Sequence, residues 1–145
     1  MPTGDRATGH QRIDHKFNFE LFDYDTPVKF QPCIKMQFFF SKLPEVSWEH
    51  FSKHYAHVHS DFTVAAKSFG AHQVQRYTQQ HQSPEAKARL KTLGMDLLDY
   101  DGCSTLWFRN WDDAEAFFTS PEYGALAADC AHFMDVSNGI KGMAG

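Results

Sequence analysis

The side chains best suited to chemistry in this sequence are its histidines, nine in 145 residues. Four of them, His50, His54, His57 and His59, fall within one stretch that has helical periodicity. Imidazole titrates near neutral pH, so a histidine can act as a general acid or base, and it is also a common metal ligand. Which of these chemistries is available depends on the face of the helix that each ring occupies.

His59 lies on the apolar face of this predicted helix. Apolar residues recur at helical spacing at Phe51, Tyr55 and Phe62, and His59 follows Tyr55 by one turn. A histidine on such a face must be hydrogen-bonded within the core or must line a cavity, because burying it unpaired is costly. Both interpretations stay open at this point, and the second predicts an acid/base group that faces a ligand.

Three other histidines of the helix share the opposite face. His50, His54 and His57 are spaced i, i+4, i+7, a spacing that could hold a metal ion. No HExxH pattern and no pair of acidic ligands accompanies them in the sequence. We therefore expect solvated imidazoles on this face, and we predict no metal and no other cofactor.

A second group of polar side chains lies on a predicted strand. Alternation places Tyr77, Gln79 and His81 on one face of that strand. The other face carries His72 and Arg76. Tyr77 and His81 could form a donor and acid/base pair that points at a ligand, but a solvent-exposed edge strand would explain the same residues. The face that meets a cavity is therefore left undetermined.

Periodicity and turn signals predict the elements that position these groups. Ser47 is a good N-cap for the helix that carries the histidines, and that helix should run for about five turns. The other predicted elements, in chain order, are a strand over residues 33–41, a strand over 71–81, a helix from Pro84 to Gly94, a strand from Cys103 to Arg109, a helix pair that ends near Cys130, and a final strand within 132–140.

This order is that of two split βαβ halves, the ferredoxin-like topology of the α+β class. It predicts a βαββαβ antiparallel sheet with helices on one face. Phe and Trp residues occupy both faces of the predicted strands, so the other face of the sheet needs cover. A second subunit would provide that cover, and we therefore expect a homodimer.

Composition excludes several classes of function. The net charge is −4 and no basic stripe interleaves with aromatic residues, so nucleic acid is not an expected partner. No apolar run is long enough to cross a bilayer, and the N-terminus lacks the apolar segment of a secretory signal. Three widely spaced cysteines do not form a disulfide framework. We expect a cytoplasmic protein with no membrane partner, in which a tail and aromatic arm over residues 1–31 precede one domain over 32–145.

Five short motifs, taken together and in their order along the chain, make the sequence resemble the EthD family. They are Phe51-x-x-x-Tyr55-x-x-x-His59, Arg76-Tyr77-x-x-x-His81, Tyr100-Asp101-Gly102, Phe117-Phe118-x-Ser120-Pro121-x-Tyr123 and Phe133-x-Asp135. The resemblance covers residues 33–140. It implies a dimeric α+β barrel, which agrees with the fold expected above.

Within that family the sequence looks most like fungal TpcK-type decarboxylases of aromatic polyketide pathways. The similarity lies in Tyr24-Asp25-Thr26-Pro27-Val28-Lys29-Phe30, Cys33-Ile34-Lys35-Met36 and Gly139-Ile140-x-x-Met143-Ala144-Gly145. It implies cofactor-independent removal of the carboxyl group of a fused-ring β-keto acid, of the atrochrysone carboxylic acid type.

For such a reaction we expect His59 to be the acid/base group, with Tyr77 and His81 as hydrogen-bond donors or a proton relay at the developing enolate. The residues expected to shape the substrate pocket are Tyr55, Asp101 and Trp107.

Related barrels host other reactions, because a fold does not determine a function. The alternatives are a cofactor-free anthrone-type oxygenase, a polyketide cyclase or dehydratase, and a non-catalytic protein that binds an aromatic metabolite. A decarboxylase releases CO₂ without oxygen, whereas an oxygenase consumes oxygen. A binding protein would be indifferent to replacement of His59.

Overall fold

A computed structural model of the chain describes residues 3–4, 11–66, 69–70 and 74–145. The chain divides into two units, Met1–Gln31 and Pro32–Gly145. In the first unit, β1 (Thr3–Gly4) pairs antiparallel with β2 (Gln11–Arg12), and a single 3₁₀ turn follows at Glu20–Phe22.

The second unit is built on a four-stranded antiparallel sheet. Its strands, in chain order, are β3 (Ile34–Phe40), β4 (Arg76–His81), β5 (Gly102–Phe108) and β6 (Lys141–Ala144). Their spatial order is β4–β5–β3–β6, and the two central strands pair along their whole lengths. This order and these pairings confirm the predicted ferredoxin-like α+β fold.

Helical segments connect the strands. They are α1 (Trp48–Lys53), a π-helical turn (His54–His59), α2 (Ser60–Ala65), α3 (Pro84–Thr92), α4 (Trp111–Thr119) and α5 (Tyr123–Cys130). The first three are continuous and begin after Ser47, whose side-chain oxygen accepts the backbone N–H of His50 as predicted. No helix in the described part of the chain is long and apolar enough to cross a bilayer.

The prediction for the last strand is wrong. Residues 132–140 contain the 3₁₀ turn Val136–Asn138, and β6 begins only after Gly139, whose φ of +83° redirects the chain. Four residues with few apolar side chains make β6, so its strand signal was weak, and its pairing with β3 is what holds it in the sheet. Residues 71–73, the expected start of the second strand, lie outside the described residues.

Two apolar clusters fill the space between the sheet and the helices. The first is aromatic, and the second lies around α4 and the far end of β5. The buried members of the first are Phe40, Phe51, Tyr55, Phe133 and Met134, and those of the second are Leu106, Phe108, Ala114, Phe117 and Leu126.

At Gly102, strand β5 passes directly beneath the first cluster. The cluster leaves no room for a side chain at this position. A Cβ there would lie 2.8 Å from ring carbons of Phe40 and 3.0 Å from a ring carbon of Tyr55, and both rings are fully buried. We expect Gly102→Ala to lower the free energy of unfolding by about 1–3 kcal/mol, measured by urea denaturation, because overpacking displaces buried groups. Gly124→Ala is the matched control, since a Cβ at that α5 position meets nothing within 4 Å. Equal stabilities for the two variants would contradict this account.

Candidate active site

A cavity of about 340 Å³ lies between the helical face of the sheet and the helices. This volume is within the range of small-molecule sites, about 300–1,000 Å³. Its wall is mostly apolar, and the aromatic rings in it are those of Phe38, Phe40, Tyr77, Phe117, Phe118 and Tyr123. Such a wall suits a flat, largely apolar ligand.

The polar groups of the wall are few. They belong to His59, Thr63, Tyr77, Ser104, Tyr123 and Cys130. Among the residues that the structure describes, no Lys, Arg, Asp or Glu side chain lines the cavity. Burial and the nearby carboxylate of Asp129 raise the pKa of the Cys130 thiol to about 11, so that thiol is uncharged at neutral pH. His59 is therefore the group of the wall suited to proton transfer.

His59 is buried against a carboxylate and still faces the cavity. Its Nδ1 lies 2.9 Å from Oδ2 of Asp129. Because an ionised carboxylate only accepts hydrogen bonds, Nδ1 carries the proton in this pair, and Nε2 of the neutral ring holds the lone pair. No described residue forms a hydrogen bond with Nε2. Burial lowers the pKa of His59 and outweighs the opposing attraction of Asp129.

The same carboxylate also binds His54, whose Nε2 lies 2.9 Å from Oδ1 of Asp129. The expectation of a solvated His54 is therefore wrong, although His50 and His57 are exposed as expected. The reason is the π-helical turn. Residues five apart lie about 140° apart around an ordinary α-helix, but i→i+5 bonding brings His54 and His59 to one face. The described residues include no group of three His, Cys, Asp or Glu side chains that could hold a metal.

Gln79 directs the hydroxyl proton of Tyr77. The amide nitrogen of Gln79 lies 2.8 Å from the backbone oxygen of Tyr55 and 2.6 Å from the Tyr77 hydroxyl. A carbonyl oxygen only accepts, so this end of the amide must be the nitrogen. Its two N–H groups are shared among the Tyr55 carbonyl, the Tyr77 hydroxyl and Oγ of Ser60, which is also 2.8 Å away. The Tyr77 hydroxyl thus accepts one hydrogen bond, and its own proton is available to a ligand in the cavity that Tyr77 lines.

His81 lies behind this pair and does not line the cavity. Its Nε2 donates to Oε1 of Gln79 at 2.9 Å, and its Nδ1 accepts from the Ser52 hydroxyl at 2.9 Å. The ring stacks on Tyr55 with centroids 4.6 Å apart, and burial lowers its pKa. Both ring nitrogens are occupied, so His81 acts on a ligand only through Gln79. The face of β4 that the sequence left undetermined is the one bearing Tyr77, Gln79 and His81; His72 lies outside the described residues.

Two residues expected to shape the pocket lie behind its wall or away from it. Tyr55 is fully buried, and its hydroxyl is 2.7 Å from Oγ of Ser104, which does line the cavity. Burial raises the pKa of Tyr55. Asp101 is a structural anchor at the end of the sheet, where its carboxylate binds Lys87 Nζ and the backbone N–H of Lys42, each at 2.7 Å. Neither side chain contacts the cavity.

The expectation for Trp107 is also wrong, because its side chain projects from the opposite face of the sheet. Its neighbours in β5, Leu106 and Phe108, pack against the helices. The Trp107 ring instead lies near Lys35 Nζ, at 5.5 Å from the centroid, and Arg76 Cζ, at 5.0 Å. Apolar residues occupy both faces of this strand, so alternation did not reveal which face meets the cavity.

Asp129 is the functional residue that the sequence reasoning missed. A signal for it exists, since Leu126 and Phe133 flank it at helical spacing and both are buried. An acid on an apolar stripe is as anomalous as a histidine on one. The buried imidazole of His59 and the buried carboxylate of Asp129 satisfy each other through a hydrogen bond.

A protein-family model described as the EthD domain matches residues 43–137 of this chain, the segment that contributes His59, Tyr77 and Asp129. The chain belongs to the EthD domain family. No curated protein matches this EthD protein.

Solved structures show the same fold at low sequence identity. An EthD family protein of Bacillus halodurans is 14% identical with a TM-score of 0.53, and the match covers 78% of this chain and 96% of that one. A dimeric ferredoxin-like protein of unknown function from Bacteroides fragilis is 17% identical with a TM-score of 0.52, covering 81% and 98%. Hydroxynitrile lyase from Passiflora edulis is 12% identical with a TM-score of 0.55, covering 79% and 94%.

Proposed function

We propose that this EthD protein is a cofactor-independent decarboxylase of aromatic polyketide β-keto acids, of the atrochrysone carboxylic acid type. The observation that carries the proposal is His59. Its Nδ1 is bound to a buried carboxylate and its Nε2 is unpaired among the described residues, on the wall of an aromatic cavity. A general acid that must protonate a carbon inside an apolar site needs this arrangement.

The charge content of the wall suits a substrate with one anionic group. With no Lys or Arg among the described residues of the wall, protonated His59 is the available counter-charge for a carboxylate. Burial lowers the pKa of His59 in the free enzyme. A bound carboxylate raises that pKa again, because an opposite charge nearby favours the imidazolium. The substrate thus helps to generate the acid that its own reaction requires.

The protein must stabilise the enolate that forms when CO₂ leaves, and it must then protonate the carbon. The bond between the ring carbon and the carboxylate carbon breaks, CO₂ leaves, and the electron pair moves into the adjacent ketone to give an enolate. The Tyr77 hydroxyl donates a hydrogen bond to the enolate oxygen. Nε2–H of His59 then transfers its proton to the carbon, and the neutral imidazole takes a proton from solvent to complete the cycle.

Positioning residues hold these two groups. Asp129 fixes the orientation of the His59 ring, and Gln79, itself held by His81, fixes the Tyr77 hydroxyl. Tyr55 supports the wall through Ser104. A lyase is known on this fold, since the hydroxynitrile lyase of Passiflora edulis shares it.

The homodimer predicted from the sequence is part of this proposal. The similar protein from Bacteroides fragilis is dimeric. The sheet face opposite the cavity bears the aromatic ring of Trp107 between two cationic side chains, Lys35 and Arg76, and a second copy would cover that face.

Incubation of the purified protein with a panel of polyketide β-keto acids under nitrogen tests the proposal. We expect a product lighter than its substrate by one CO₂, formed without oxygen. Product formation only in air, with oxygen uptake, would identify an oxygenase instead. Loss of water, or an isomer of equal mass, would identify a dehydratase or a cyclase. Tight binding of an aromatic ligand without turnover would identify a binding protein.

A further inference from the structure

We propose that His54 is a positioning residue that shares the carboxylate of Asp129 with His59 and thereby sets the pH range over which His59 holds a proton. The inference rests on the proposed acid/base role of His59. It concerns a residue whose ring does not line the cavity.

The geometry joins the two imidazoles through one anion. Asp129 is buried, and each of its oxygens lies 2.9 Å from one ring nitrogen, Oδ1 from His54 and Oδ2 from His59. The ring of Phe133 packs on both imidazoles, with centroid distances of 5.0 Å and 4.9 Å. The side chain of His54 is 16% exposed and that of His59 is 7% exposed. His54 is therefore the member of the pair that is closer to solvent.

A single carboxylate neutralises only one imidazolium. With one proton on the pair of rings, the buried group of three side chains has no net charge. A second proton would place two cations beside one anion, which like-charge repulsion disfavours. A positive charge on His54 thus opposes a proton on His59.

Among the described residues, the other titratable groups near His54 and His59 do not bind the carboxylate of Asp129. His50, on the same helix, and His132, after α5, face His54 with ring centroids 6.2 Å and 6.0 Å away, and both are exposed. Cys130, next to Asp129, is a neutral thiol at pH 7. Tyr77 lines the same cavity as His59. The Tyr55 ring lies 6.1 Å from that of His59, and burial raises the pKa of Tyr55, so its hydroxyl is neutral. In the described part of the chain, His54 is the other side chain bound to Asp129.

Coupling gives His59 a way to be neutral in the empty site and charged in the occupied one. In the empty site, burial and the neighbouring His54 disfavour a proton on His59. When a substrate carboxylate enters beside His59, its negative charge favours the protonated form of His59. The charge that His54 carries therefore decides how readily His59 takes up that proton.

The test is an NMR titration of the imidazoles in the isotopically labelled full chain, without substrate. His54→Gln keeps a hydrogen-bond donor for Asp129 but cannot hold the proton. We expect it to raise the pKa of His59 by on the order of one unit, because the competing charge is gone. His50→Gln is the matched control and should leave the His59 titration unchanged. An unchanged His59 titration in folded His54→Gln would overturn the proposal.

A second measurement needs no variant. In the wild-type protein, a coupled pair gives two-step titrations at His54 and His59 with the same two midpoints. Independent single-step curves would overturn the proposal even if His54→Gln failed to fold. Neither NMR measurement involves turnover, so a negative decarboxylase assay would not contradict the coupling between His54 and His59. If turnover is found, His54→Gln should move the fall in kcat/KM at alkaline pH to higher pH, because the acid form of His59 persists further.

Discussion

His59→Gln should lower the decarboxylation rate by about 10²- to 10⁴-fold, the usual contribution of a general acid or base. Glutamine retains a hydrogen-bonding group near the substrate but does not transfer a proton near neutral pH. The loss should appear in kcat, since the proton is delivered after the substrate has bound. Steady-state assay of CO₂ release under nitrogen, with wild-type and variant protein side by side, measures the effect.

The control for His59→Gln is His57→Gln, which changes an exposed histidine of the same π-helical turn. It should retain full activity. Wild-type kcat/KM should fall as pH rises through the pKa of His59, because the reactive form is the protonated one, and the variant should lack this dependence. A rate within about tenfold of wild type for a folded His59→Gln protein would show that the acid/base assignment is wrong.

Tyr77→Phe should lower kcat by about 10²- to 10³-fold, because loss of one donor to a developing oxyanion costs about 2.7–4 kcal/mol. The ring and the cavity wall are preserved, so KM should change little. The amide nitrogen of Gln79 keeps the backbone oxygen of Tyr55 as an acceptor at 2.8 Å, and the local fold should survive. Kinetic constants from the same anaerobic assay check the prediction.

Tyr100→Phe provides the comparison for Tyr77→Phe, since Tyr100 does not line the cavity. It removes the same hydroxyl group and should have no effect on kcat. If Tyr77→Phe also leaves kcat unchanged, the enolate oxygen is not stabilised by Tyr77. A rise in KM at constant kcat would instead indicate that the hydroxyl binds substrate and transition state equally well.

Local periodicity was sufficient to predict part of the site. The stripe of apolar residues around His59 predicted a ring that is either satisfied in the core or next to a cavity, and the structure has both features, one on each ring nitrogen. Alternation correctly grouped Tyr77, Gln79 and His81 on one face of β4. In each case the face that a side chain occupies follows from the spacing of residues within one helix or strand.

The rest depended on contacts between distant elements. Asp129 is 70 positions from its partner His59, and no local pattern pairs them. Trp107 points away from the cavity because the helices pack on the other face of the sheet. The sequence of the strand alone does not show which face the helices cover. His54 was assigned to the wrong face because an ordinary helical repeat was assumed, and a π turn changes the angular position of every later residue.

The extra residue of that π turn has a consequence for attempts to alter this protein. Deleting one position between His54 and His59 would restore a regular helix with better backbone hydrogen bonds. It would leave the two rings four residues apart, about 40° around a regular helix and still on one face, so one carboxylate could reach both. Helix regularity and site geometry are therefore compatible here. Selection for thermal stability alone should tolerate shortened helices that keep this pair.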